Sequence, residues 1–236
     1  MSQLTDLRHQ LHALGSPEKV TSSQWFFKTG PGQYGEGDEF IGVTVPEQRT
    51  VARHFRDLPL PDLQQLLLSP IHEERLEALF ILVGQYQRGD APTQKAIYEF
   101  YLAHADRVNN WDLVDSSAEY IVGPWLQDKD RTILTKLAAS PSLWERRIAM
   151  LATFHYIKQG DAGPALQIAE LLLHDQHDLI QKAVGWMLRE IGKRCSRAIE
   201  EQFLSRHYTE MPRTMLRYAI EHFPEDRRQA YLHGTV

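Results

Sequence analysis

Apolar residues recur along this chain at helical spacing. Leu76, Leu79, Phe80 and Val83 fall at i, i+3, i+4 and i+7, and Ile180, Ala183, Val184, Met187, Leu188 and Ile191 repeat the pattern, as an amphipathic helix requires. No segment alternates as a strand does, so the chain is expected to be all-α. Helices are predicted near 3–13, 17–28, 46–56, 61–68, 71–87, 92–105, 111–126, 130–139, 142–158, 163–173, 178–194, 196–206 and 212–222. Ser2, Asn110, Ser142 and Asp178 suit N-caps, Pro46, Pro92 and Pro212 suit first turns, and Gly15, Gly84 and Gly160 suit stops. Long helices beginning near 71, 111, 142 and 178 recur at about 30 to 40 residues, each with a shorter companion. That spacing fits paired HEAT-like repeats stacked into a curved superhelix with a concave face. A plain helical bundle is the alternative. Residues 1–236 are read as a single domain of this kind.

One segment interrupts the pattern. Gly30-Pro31-Gly32-Gln33-Tyr34-Gly35 is a formal G-x-G-x-x-G match, but a dinucleotide site needs a strand before it and a helix opening at it. Here helical Trp25-Phe26-Phe27-Lys28 precedes it, and Glu36 and Asp38 would repel phosphate. Residues 30–38 are therefore expected to be a flexible glycine-rich loop.

Composition excludes several classes. A chain of 236 residues with 42% hydrophobic and 24% charged residues is globular rather than disordered. The single cysteine, Cys195, cannot form an internal disulfide. The start, Met1-Ser2-Gln3-Leu4-Thr5-Asp6, lacks the basic and apolar regions of a signal peptide. The most apolar run, Ala78 to Val83, is far below the roughly 20 residues of a membrane span. A cytoplasmic protein with no membrane partner is expected.

The net charge of −5 gives no global reason to expect nucleic-acid binding, but the charge is uneven. On a wheel of residues 178–194, Ile180, Val184, Met187 and Ile191 share one side. Trp186 lies opposite, with Lys182, Arg189 and Lys193 within about 60° of it. Lys182, Arg189, Lys193, Arg194 and Arg197 outnumber Asp178 and Glu190 here. Trp186 either packs against a neighbouring repeat or serves as a stacking platform on a phosphate-lined, locally positive face.

A second indole stands beside a carboxylate. Trp111 and Asp115 are four apart and share a helix face, with Ala118 and Val122, away from Leu113, Val114, Ser117, Tyr120 and Ile121. An indole face next to a carboxylate favours a bound cation, although an Asp here also suits an ordinary surface or backbone-bonding role. Asp112 is assigned to the helix dipole. In residues 142–158 periodicity favours Arg146 over Arg147 as the exposed cation, without settling which one works. His174-x-x-His177 lacks further ligands for a metal site, and His72-Glu73-Glu74-Arg75 reads as a helix start. Cys195 has no triad company, though Arg194 and Arg197 would lower its pKa.

The motifs Asn110-Trp111-Asp112-Leu113-Val114-Asp115-Ser116, Leu143-Trp144-Glu145-Arg146-Arg147-Ile148-Ala149 and Ile180-Gln181-Lys182-Ala183-Val184-Gly185-Trp186-Met187-Leu188-Arg189-Glu190 resemble those of the bacterial DNA alkylation-repair glycosylases of the AlkD family. Phe40-Ile41-Gly42-Val43, Pro46-Glu47-x-Arg49 and Tyr218-Ala219-Ile220-Glu221 fit as well, and the likeness runs from about residue 20 to the C-terminus. Two departures stand out: loop 30–38 is longer than in compact members, and Phe26 or Phe27 stands where a tyrosine is expected. The resemblance implies a monofunctional glycosylase that removes N3- and N7-alkylpurines from duplex DNA without a base pocket, a metal or another cofactor. It places the catalytic carboxylate on Asp115, the paired tryptophans on Trp111 and Trp186, and the active-site arginine on Arg147. Lys182, Arg189 and Lys193 would contact DNA, and the protein would act as a monomer. A HEAT-like DNA-binding protein that no longer cleaves, and a helical protein-interaction scaffold, are the rival readings.

Overall fold

The helical periodicity is realised throughout the computed structural model, which describes residues 2–236. No strand is formed among these residues, only one isolated bridge between Glu39 and Ile71. The chain folds into two compact units, one ending at Ser117 and the other spanning Ala118–Val236.

The first unit comprises α1 (Gln3–Ala13), α2 (Pro17–Phe26), α3 (Val45–His54), α4 (Leu60–Leu67), α5 (His72–Arg88), α6 (Ala91–Ala103) and α7 (Trp111–Asp115). Helix α5 is its axis and packs against α3, α4, α6 and α7. Leu76, Leu79, Ile81 and Leu82 of α5 are buried, each contributing about 1.5–3 kcal/mol of transfer free energy. The glycine-rich segment is knitted by its own bonds: Gly30 N donates to Gln33 Oε1 (2.9 Å) and Gly32 N to Glu36 Oε2 (2.8 Å). Its end is sewn to the start of α5, where Glu39 N donates to the Pro70 carbonyl (3.1 Å) and His72 N to the Glu39 carbonyl (2.8 Å).

The second unit comprises α8 (Ala118–Trp125), α9 (Thr132–Ala138), α10 (Leu143–Ala152), α11 (Phe154–Lys158), α12 (Gly163–Leu171), α13 (Asp178–Arg194), α14 (Arg197–His207), α15 (Arg213–Ala219) and α16 (Glu225–His233). Helix α13 is central and packs against α10, α11, α12, α14 and α15. Its closest approach, to α15, depends on Gly185: a Cβ there would lie 2.4 Å from the Met215 carbonyl oxygen and 2.5 Å from Tyr218 Cβ.

Two expected helices are broken. The one predicted over 111–126 stops after Asp115, and the one over 142–158 is divided at Thr153. Both breaks have one cause. Ser117 Oγ donates back to the Leu113 carbonyl (2.6 Å), and Thr153 Oγ1 to the Met150 carbonyl (2.6 Å). The hydroxyls compete for carbonyls of the preceding turn and bend the chain out of the α-ladder. Other differences are smaller. Gly84 lies inside α5 rather than ending it. His177 caps α13 through its ring Nδ1, which accepts from Leu179 N (3.2 Å), and Asp178 is the first helical residue. Helix α16 was not expected, because Tyr231 is the one residue it buries and no apolar stripe marks it. Among the described residues no helix is long and apolar enough to cross a membrane.

Candidate active site

Helix α7 has five residues, too few to be stable alone, so its orientation comes from its anchors. Asn110 caps it: Oδ1 accepts from Trp111 N (2.9 Å), while Nδ2 donates to Asp38 Oδ2 (3.1 Å). Asp112 Oδ1 accepts from Leu113 N (2.9 Å), and its other oxygen lies 2.8 Å from His72 Nε2. Leu113 and Val114 are buried beneath. The remaining positions, Trp111 and Asp115, are four apart on one face, and both are half-buried.

Under α7 lies a buried charge cluster. His72 Nδ1 meets Asp38 Oδ2 at 3.0 Å, and Arg75 Nη2 donates to Asp38 Oδ1 at 2.6 Å. Burial alone would drive the His72 pKa down. The Asp112 charge and the hydrogen bonds to Asp112 and Asp38 outweigh that and raise it to about 9. His72 is thus a cation at neutral pH, donating from both ring nitrogens. Burial opposes the ionisation of Asp38, but His72 and Arg75 hold its carboxyl below the usual range.

Aromatic rings complete the setting. Phe27 stacks on Trp111 (centroids 5.4 Å apart) and sits over His72 (4.7 Å), while Phe26 meets the Trp111 edge (5.6 Å). Asp115 makes itself felt at Tyr101: burial pushes that phenol up, its hydrogen bond with Ser117 lowers it, and the Asp115 charge raises it further.

The sequence missed most of this cluster. His72-Glu73-Glu74-Arg75 is the helix start that the sequence suggested, but it is buried throughout. Glu73 accepts the backbone amides of Ile41, Gly42 and Val43, and Glu74 binds Arg8 and His12. Asp38, read only as a loop carboxylate that would repel phosphate, is a buried node, and Asp112 does more than face the helix dipole. The available signal was a run of four ionisable residues opening an otherwise apolar helix. Ala118 and Val122, placed by the wheel beside Trp111, are fully buried, because the break after Asp115 resets the angular register.

Arg147, Lys182, Trp186, Arg189 and Lys193 belong to the second unit. Trp186 is half-buried on α13, its ring at an edge angle to Phe154 (5.7 Å). Lys182, one turn away, pairs with Asp178 (2.7 Å), and Arg189 pairs with Glu221. Arg194 pairs with Glu190 (2.6 Å) and Arg197 with Glu200 (2.8 Å). Lys182, Arg189 and Arg194 are therefore paired with carboxylates, that of Glu221 from outside the stretch, whereas burial raises the Glu200 pKa to about 8 and leaves the Arg197 charge largely uncompensated. Lys193 is exposed and has no ion-pair partner among the described residues. Arg147 is buried and donates to the Leu179 carbonyl (2.5 Å) at the start of α13. Arg146 is the more exposed of the two arginines, as periodicity favours, although it bonds Asp175 (2.7 Å) and the carbonyls of Ser140 and Pro141. Burial and the Asp161 charge raise the Cys195 pKa, the opposite of what its basic sequence neighbours suggested.

The family model for DNA alkylation repair enzymes matches residues 7–223. The chain belongs to this family. DNA alkylation repair is accordingly its role, and the motifs around Trp111, Arg147 and Trp186 all lie within the match. A solved structure, described as a predicted DNA alkylation repair enzyme from Enterococcus faecalis, shares the repair-family fold. It superposes with a TM-score of 0.69 at 17% identity, covering 89% of this chain and 97% of its own. No curated protein sequence matches the chain.

Proposed function

We propose that this repair-family member is a monofunctional DNA glycosylase that hydrolyses the N-glycosidic bond of N3- and N7-alkylpurines in duplex DNA. The observation that carries this reading is the display of Trp111 and Asp115 on one face of a short helix whose other face is clamped from below. N-alkylation makes the purine cationic. When the C1′–N bond breaks, the base takes the bonding electron pair and leaves neutral, so it needs no general acid, unlike an ordinary glycoside. The difficult species is the sugar oxocarbenium, which a fixed carboxylate stabilises while water adds at C1′. Asp115 has that role, with the Trp111 ring face against the cationic deoxyribose, and Trp186 offers a further ring face to the DNA. Arg147, Lys182, Arg189 and Lys193 hold backbone phosphates. Arg147 does so only by reaching past its carbonyl partner.

The same reading makes residues 1–236 one HEAT-like repeat domain that binds DNA and acts as a cytoplasmic monomer without a cofactor. Its test is incubation with methylated duplex DNA, scoring free bases and abasic sites. Wild-type protein is expected to release 7-methylguanine, and Asp115→Asn to lose on the order of 10²–10³ in single-turnover rate while still binding DNA. An unchanged rate in that variant removes Asp115 from the chemistry. No release by the wild type favours the non-cleaving DNA-binding protein instead.

A further inference from the structure

Anchors on α7 converge on a single buried residue. Asn110 Nδ2 and His72 Nδ1 both point at Asp38 Oδ2, and His72 passes the connection to Asp112. Asp38 is itself fixed from two directions, by Arg75 on its other oxygen and by the backbone pairing of Glu39 with Pro70 and His72. The rings run parallel to this path, since Phe27 touches both His72 and Trp111. None of these residues except Trp111 is on the displayed face.

We propose that Asp38, His72 and Asp112 form a buried positioning relay, rooted in the glycine-rich loop, that fixes the rotation of α7 and hence the aim of Trp111 and Asp115. The proposal rests on Asp115 acting in excision. A five-residue helix has fewer than two turns in which to fix its own direction, so a rotation about its axis swings residues i and i+4 together. The relay opposes that rotation by holding Asp112, whose Cα precedes Asp115 by less than one turn. His72 suits this place because a cationic imidazole donates along two opposed directions at once, which no amide or hydroxyl does in the same volume. Its charge is balanced by the carboxylates on either side, so the cluster stays paired although buried. Asp38, His72 and Asp112 are positioning residues; they are not placed in contact with the substrate.

The experiment compares Asp112→Ala, Asp112→Asn and Asp38→Asn in the full chain. Single-turnover excision and duplex Kd are measured, together with the 19F resonance of 5-fluorotryptophan at position 111, identified by its loss in Trp111→Phe. Asp112→Ala is expected to slow excision by about tenfold to hundredfold, as misaimed groups do, with Kd changed by less than about twofold, and to shift the resonance. Asp112→Asn retains an acceptor for His72 Nε2–H and is expected to stay within about threefold of wild type. In Asp38→Asn a single oxygen replaces the two that accept from His72, Asn110 and Arg75, so the new amide sets donor against donor; this breaks the relay at its far end and is expected to reproduce the slower rate and the shifted resonance. Should Asp112→Ala not fold, Asp38→Asn carries the test alone. Wild-type rates with an unmoved resonance overturn the relay, as does a loss of rate matched by an equal loss of affinity. If the wild type excises nothing, the glycosylase reading fails, and an unmoved resonance in Asp38→Asn then overturns the relay separately.

Discussion

Glu77 sits on α5 with its side chain fully buried, and neither carboxyl oxygen finds a hydrogen-bond partner. Burial pushes its pKa up to about 9, so at neutral pH it folds as a neutral acid while the unfolded chain carries a carboxylate there. An acid raised in the folded state costs nothing below its unfolded pKa, and the cost grows as pH climbs toward the folded value. Glu77→Gln should therefore stabilise the protein by roughly 2 kcal/mol or more at pH 7.5, with the gain fading toward pH 4.5. Urea unfolding at the two pH values checks this, and an equal gain at both would count against it. Single residues were also where the sequence was least legible. Trp111 and Asp115 could be paired from their spacing, but Asp38, His72 and Asp112 lie 34 and 40 residues apart along the chain. Periodicity within one helix carries no trace of such partners.

Elements were read more securely than residues. Helix α13 was expected over the residues it occupies, since an apolar stripe, an acidic start and a basic end agree over its length. Helices α7 and α10 were expected longer than they are. Hydroxyl back-bonding by Ser117 and Thr153 depends on a local competition that a hydrophobic pattern cannot register. At this scale Gly185 offers the sharpest test. Gly185→Ala forces α13 and α15 apart, because the new Cβ meets backbone at 2.4 Å. An overpacked contact of this kind is expected to cost about 1–3 kcal/mol, measured by thermal or denaturant unfolding. Because Trp186 is the next residue, the same variant should also slow excision. A variant as stable as the wild type would show that the two helices can part without cost.

Across the whole molecule, among the described residues, three buried groups have pKa values raised to between about 8 and 9 and so bind protons more tightly when folded. Glu77 is raised to about 9 by burial, Glu200 to about 8 by burial, and His72 to about 9 against its burial. For His72 the sign is the usual one for a paired histidine: its stabilisation is complete below pH 6.5 and is lost as pH rises through about 9. For the two acids the folded form keeps a proton that the unfolded chain gives up above about pH 4.5. Each group then contributes a loss of about 1.4 kcal/mol per pH unit across its window, and all three windows overlap between pH 6.5 and 8. The melting midpoint is expected to fall steadily from pH 6.5 to 9, and a flat profile there would contradict the assignments.

The ion pairs on α13 change what DNA binding would mean thermodynamically. Lys182 and Arg189 already hold Asp178 and Glu221, so phosphates approaching them would take part in an exchange rather than a simple neutralisation. The freed carboxylates would gather cations from solution while the DNA releases its own condensed counterions, so log Kd against log salt should be shallower than a slope of about 0.9 per contacting cation. Lys182 helps hold the Asp178 carboxyl below its ordinary value against burial, so its displacement lets that value rise again. Binding is then coupled to proton uptake where that carboxyl titrates, about pH 4, and not near neutrality.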